Sequence, residues 1–177
     1  MTAINRNPEN PNLLHGNKFQ LNFSRMPSIQ YFAQNVILPG VSLMEYPRTN
    51  PFVELYSPGE KAIYDLLTVT FMVDEELTAW KEVHDWIRAM TFPENFEEYA
   101  NLPNIARPTV RLGFPQFSDA RLTLLSNANQ PIFQFDFIDI FPTTLSSMIL
   151  STTHSPEDVI TADAIFRFSY YNVKSLK

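Results

Sequence analysis

Residues 66–90 read LLTVTFMVDEELTAWKEVHDWIRAM, and two periodicities meet at Asp74. Before Asp74 the pattern alternates, with Val69, Phe71 and Val73 on one face and Thr68, Thr70 and Met72 on the other. Alternation of this kind predicts a half-buried strand, here over Ile63–Val73. After Asp74, the residues Leu77, Trp80, Val83, His84 and Ile87 recur at helical spacing and form one apolar stripe. Asp74 suits a helix N-cap because its carboxylate accepts backbone N–H bonds. Glu75 and Glu76 would then sit in the first turn, and Arg88 near the last, as the helix dipole favours. An amphipathic helix is predicted from Asp74 to Met90, stopped by Pro93. Leu77, Trp80, Val83 and Ile87 should brace a sheet, with Lys81, Asp85 and Arg88 facing outward.

The flanks are mostly strands. Lys18–Ser24 alternates, with Phe19, Leu21 and Phe23 on one face. Ile29–Leu38 is a second strand candidate, closed by Pro39-Gly40, a strong turn signal. Arg121–Ser126 is a strand, followed by an Asn127–Pro131 turn. Ile132–Phe141 alternates through Phe133, Phe135 and Phe137 and should end at Pro142. Ala162–Val173 is the last strand, with Ala164, Phe166, Phe168 and Tyr170 inward. A short helix over Glu94–Ala100 and a short strand over Thr109–Leu112 are also expected. Residues 1–17, rich in Asn and Pro, read as an extended arm. Val41–Lys61 carries Pro47, Pro51 and Pro58-Gly59, which argue against a central strand. It reads as a long loop, serving either as a contact arm or as a connection packed on its own domain. Strands, a helix, then more strands predict a mainly β (α+β) antiparallel fold, a two-sheet sandwich or barrel with one flanking helix. The 177-residue length predicts a single domain over residues 1–177.

Composition narrows the function. The chain has 14% aromatic residues, 15 of them Phe, a net charge of −6 and scattered Lys and Arg. The clustered basic patch of a nucleic-acid-gripping protein is missing from this pattern. With no cysteine, disulfides, thiolate metal sites and cysteine nucleophiles are excluded. No stretch approaches the roughly 20 apolar residues of a membrane helix, and the N-terminus does not resemble a signal peptide. His15, His84 and His154 have no partner at metal-ligand spacing. Asp74, Glu75 and Glu76 are explained by helix capping, and Asp136 and Asp139 fall on opposite strand faces. Four glycines supply no phosphate-cradling loop. No cofactor, metal or catalytic residue is expected, and no enzyme. Polar, nearly uncharged faces such as Gln20/Asn22, Thr68/Thr70 and Gln134/Asp136 suit either a solvated sheet or the lining of a channel.

Several segments, in order, resemble the tail-tube family of contractile-tailed bacteriophages. They are NPNLLHGNKFQLNFSRMP (10–27) with QNVILPGVSL (34–43), the 66–90 stretch, IFQFDFIDIFPTTLSSM (132–148) and TADAIFRFSYYNV (161–173). The resemblance implies a two-sheet barrel assembled as a homohexameric ring. Stacked rings would form the inner tail tube, with viral DNA passing through the lumen and a contractile sheath outside. It also implies that the loop at 41–61 bridges subunits, making Pro47, Pro51, Phe52, Tyr56, Pro58 and Gly59 the expected assembly residues. Implied partners are other copies of the chain, the tail sheath protein, and baseplate and tail-terminator proteins. The implied location is the virion tail, assembled in the host cytoplasm. Residues 101–119 have no counterpart in the family pattern. Three functions therefore stay open: a repeated tube subunit, a baseplate ring that initiates or caps the tube, and, apart from the resemblance, a soluble β-sandwich binding module.

Overall fold

The computed structural model describes residues 12–91, 93–94, 97, 116–153 and 159–176. The described elements are β1 (Phe19–Phe23), α1 (Pro27–Phe32), β2 (Ala33–Ile37), β3 (Val41–Arg48), β4 (Leu55–Tyr64), β5 (Leu67–Met72) and α2 (Thr78–Thr91). These are followed by β6 (Ser118–Leu125), β7 (Pro131–Leu145), β8 (Thr161–Arg167) and β9 (Tyr170–Ser175). The strand expected at Thr109–Leu112, nearly all of the helix expected at Glu94–Ala100, and His154 lie outside the described residues. So does most of the arm; its residues 12–17 carry neither helix nor strand.

All strand pairs are antiparallel, in the order β1-β6-β7-β8-β5-β2 with β9 also beside β7. The 15-residue β7 joins two sheets. Its first part pairs with β6 and β9, and Phe141–Leu145 pairs with β8. The two sheets bury alternate residues against each other: Leu21, Phe23, Leu122 and Phe137 from one, Leu67, Val69, Phe71, Ala164 and Phe166 from the other. The rings of Phe23 and Phe166 meet across this layer, 5.0 Å between centroids. Removing such surface from water is the main favourable term in folding, about 25 cal/mol per Å² of apolar area.

Several strands depart from the sequence expectation. Ile63–Val73 is two strands, β4 and β5, broken at Asp65-Leu66. β7 does not end at Pro142 but runs to Leu145. Pro142 lies where β7 has a ladder partner on one side only, at a register shift against β8, and there a missing N–H is tolerated. The terminal strand breaks at Phe168-Ser169, which moves the inward alternation by one residue. Tyr171, not Tyr170, joins the core, its ring 5.5 Å from Phe137 and 6.0 Å from Phe168.

The first half of the expected Ile29–Leu38 strand is helical. Pro27 occupies the first turn of α1, where its fixed φ and lack of an N–H suit a helix start. Ser28 donates both its N–H (3.3 Å) and its hydroxyl (2.7 Å) to the carboxylate of Glu82 on α2. Ile29 enters the core. α1 also packs on β1, β5 and α2, so a tertiary partner decides its conformation.

The helix begins at Thr78, four residues later than expected. Asp74–Leu77 forms a turn closed by the Leu77 N–H to the Asp74 carbonyl at 3.0 Å, with Leu77 in the left-handed region (φ 56°). Asp74 still caps, its carboxylate accepting the Ala79 N–H at 3.4 Å. A hydrogen bond from the Thr78 side chain is the largest cause holding its carboxyl below the usual aspartate range. Glu75 and Glu76 lie in the turn before the helix, not in its first turn. The buried face is Ala79, Val83, Trp86 and Ala89. Val83 is fully buried and Trp80 and Ile87 are half-buried against the core, but Leu77 is 41% exposed and does not pack on the core formed by the described residues. Trp86, 1% exposed, is the anchor. Its Nε1–H donates to the Gln116 carbonyl at 3.1 Å, and the Arg25 guanidinium lies 4.5 Å from the ring centroid. Burial lowers the Arg25 pKa to about 10, which leaves it charged at neutral pH and favourably placed over the indole.

Candidate assembly surface

Val41–Lys61, expected as a loop, is most of a β-hairpin, β3 paired with β4 from Val41↔Tyr64 to Arg48↔Leu55. The prolines do not prevent it. Both strands of a two-stranded hairpin are edge strands, where proline is admitted. Pro47 stands opposite Tyr56, and Pro58 opposite Glu45. The ladder shifts register between Leu43 and Glu45, and Gly59 lies in this irregularity. A Cβ on Gly59 would overlap the Met44 carbonyl oxygen and approach its carbonyl carbon to 3.0 Å. Gly59 therefore serves a close backbone approach within a ladder, not the loop turn its Pro-Gly context suggests.

The hairpin is rooted in the core but does not lie on it. At its base the Asp65 N–H donates to the Gly40 carbonyl at 3.1 Å, and the Tyr64 ring packs 5.3 Å from Tyr171 and 5.8 Å from Phe168. Beyond that root every β3 residue is exposed. Opposing pairs share a face, so Val41, Leu43 and Tyr56 lie on one side and Tyr46, Leu55 and Ile63 on the other, all exposed. Exposed apolar side chains on both faces of one element mark an interaction site. At the tip, the Asn50 side chain accepts the Phe52 N–H at 3.3 Å, and Phe52 is 94% exposed. Pro47, Pro51, Phe52, Tyr56, Pro58 and Gly59 are thus gathered on one projecting element. Between Val41 and Asp65 four acids outnumber two bases, for a net charge of −2.

The polar outer face of the β1-β6-β7-β9 sheet carries a paired cluster of charges. Asp136 accepts Arg121 Nε at 2.9 Å, Gln134 Nε2 at 2.7 Å and Lys174 Nζ at 2.7 Å. Burial pushes the Asp136 carboxyl up, but hydrogen bonds from Lys174, Arg121 and Gln134 outweigh it and hold the group below its usual range. Arg121 and Lys174 went unnoticed in the sequence because β6 and β9 come together only through β7. Trp86 and Glu82 do not stand out in the sequence for a different reason: only packing against α1 and β7 selects their side of the helix.

His84 is half-buried, stacked on Trp80 with centroids 5.0 Å apart and 3.3 Å from Asp85. Among the described residues, no three His, Cys, Asp or Glu side chains group closely enough to hold a metal ion. No helix among them is long and apolar enough to cross a membrane.

A family model described as phage tail tube protein matches residues 11–174, nearly the whole chain. The chain belongs to the phage tail tube protein family. The family is one of structural tail proteins, not enzymes. The chain is 27% identical over 146 residues to the tail tube terminator protein of Enterobacteria phage T4, covering 80% of this chain and 76% of that protein. The fold is similar to that of the tube-terminating cap of the anti-feeding prophage, with a TM-score of 0.64, 13% identity and 99% of each chain covered. It is also similar to a chain of the sheath/tube terminator of the PVC extracellular contractile injection system, with a TM-score of 0.61, 16% identity, and 94% and 98% covered. The mainly β architecture with antiparallel sheets and a small helical part is that of tail-tube and terminator folds.

Proposed function

We propose that this chain forms a closed ring, six copies in the resemblance to the tail-tube family, that ends the inner tail tube of a contractile-tailed phage. The observation that carries the end-ring role is the likeness in sequence to a tail tube terminator, supported by the fold shared with a terminating cap. The projecting hairpin supports association, because its apolar faces have no counterpart within the described chain. The ring is assembled in the host cytoplasm and resides in the virion tail. Its neighbours are the last tube ring and the tail sheath, and viral DNA passes through its lumen without being gripped. The family's name favours a second reading, the repeated tube subunit, and a baseplate ring that starts the tube is a third position for the same fold. Copy number decides. Quantitative mass spectrometry of virions should find about one ring of this chain per tail at the head-proximal end. Many rings per tail would assign the tube subunit, and labelling at the baseplate would assign the initiator. Purified protein that stays monomeric at high concentration, with no rings by negative-stain microscopy, would sink the ring itself.

A further inference from the structure

Residues 29–38 read IQYFAQNVIL, a strand pattern, yet the chain is helical to Phe32 and extended from Ala33. Ile29, Tyr31 and Phe32 are residue types that favour strands. A six-residue helix is far below the roughly 12–15 residues at which an isolated helix becomes even marginal in water. Local support for α1 is missing too. Its first turn contains no acid and its last turn no base, and among the described residues no side chain caps its start. Its support is tertiary: the buried Met26 and Ile29, and the two hydrogen bonds from Ser28 to Glu82. No loop separates helix from strand, since Ala33 is already extended at φ −61° and ψ 120°.

Where α1 ends matters because β2 is an edge. It stands last in the strand order and, among the described residues, pairs with β5 alone. Open edges are blunted by charge, by proline or by shortness. Residues 28–38 contain no charged residue and no proline. Shortness remains, and α1 supplies it by keeping residues 29–32 out of the ladder. The antiparallel register has Ala33 opposite Phe71, so continuing it would place Phe32 opposite Met72 and Tyr31 opposite Val73. Open space lies beside the junction, a cleft of about 300 Å³ with Gln30, Ala33 and Gln34 on one wall and Phe19 and Leu21 of β1 on the other. We propose that α1 is a latched guard on the β2 edge. In the free chain the Ser28–Glu82 bonds hold residues 29–32 helical. On entry into the ring the latch opens and β2 lengthens along β5 to Tyr31, giving the neighbouring copy a longer edge. Opening on assembly rests on the ring proposed above, whereas the latch itself is a property of one chain.

In α1 the Tyr31 side chain is 85% exposed, while Val73 packs on the core. In the lengthened strand the two would stand directly opposite on one face. Val73 gives its N–H to the Ile160 carbonyl at 2.9 Å, on the β8 side, so toward β2 it would form a non-hydrogen-bonded pair with Cα atoms about 4.5 Å apart. That is within disulfide reach. The chain has no cysteine, so the full-length double variant Tyr31→Cys/Val73→Cys carries one clean pair. Its cross-linking by oxidised glutathione is followed by mass spectrometry. Adding Glu82→Ala should speed cross-linking of the monomer at least tenfold. Adding Trp80→Ala, which loosens the same helix without touching the latch, should not. Equal rates with and without Glu82→Ala overturn the latch, and so does equal acceleration by Trp80→Ala, the mark of general loosening. In the cysteine-free chain, Glu82→Ala should form rings by negative-stain microscopy at a protein concentration at least threefold below wild type. An unchanged threshold overturns opening on assembly. Wild type that stays monomeric at every concentration overturns the ring and opening on assembly with it, while the cross-linking rates of the monomer still decide the latch.

Discussion

Replacing Trp86 with alanine removes the largest fully buried side chain among the described residues. Truncating a buried Trp to Ala costs about 3–5 kcal/mol through lost transfer energy and the cavity left behind. Two further losses are specific to this site. The Gln116 carbonyl loses its donor, and the buried Arg25 guanidinium loses the ring beneath it. Together these add about 1 kcal/mol or more. The expected total is about 4–6 kcal/mol, a fall in Tm of about 10–20 °C for a chain of this length. Trp80 is the internal control. It is half-buried and its indole N–H has no hydrogen-bond partner among the described residues. Trp80→Ala should cost about 1–2 kcal/mol. Urea unfolding followed by far-UV circular dichroism measures both. The comparison is made at one low protein concentration, because association adds concentration-dependent stability. If Trp80→Ala costs as much as Trp86→Ala, the buried face of α2 has been assigned to the wrong side of the helix.

Other variants probe the remaining devices. Gly59→Ala forces a Cβ onto the Met44 carbonyl, so it should distort the hairpin and impair ring formation by electron microscopy. The hairpin is exposed, so the unfolding free energy should change by less than about 1 kcal/mol. Glu82→Ala strands the Ser28 donors of α1 and should cost about 1–2 kcal/mol in urea unfolding; Glu82→Gln should recover part of it. Asp136 has its folded pKa below the ordinary aspartate value of 3.8, so its contribution is present above that value and is lost as pH falls through the folded pKa. Asp136→Asn should therefore flatten the loss of stability below about pH 3.8 in acid titrations by circular dichroism, and an unchanged acid limb would exclude the Lys174–Asp136–Arg121 cluster as a stabilising group.

What the sequence by itself determined was local. The period-two rows at Phe19/Leu21/Phe23, Val69/Phe71 and Ala164/Phe166 name buried faces directly, because a strand's two sides are opposite and unambiguous. The class of fold and the absence of cysteine chemistry follow from the same reading. Tertiary structure decided wherever two local answers were comparable. The α2 segment carries apolar residues over a wide arc, so Leu77/Trp80 and Ala79/Trp86 both look like the buried stripe. Packing against α1 and β7 selects the second. Pro27 and Ile29 fit a strand edge or a helix start until Glu82, 54 residues away, accepts the Ser28 donors. Prolines at 47, 58 and 142 suggest interruption, yet each lies in a strand with a ladder partner on one side only, where a missing N–H costs little. The assembly surface divides in the same way. The residues from Pro47 to Gly59 stand out locally. That they project free of the core depends on the hairpin's root, where Tyr64 packs on Phe168 and Tyr171 more than a hundred residues away, which no local pattern encodes.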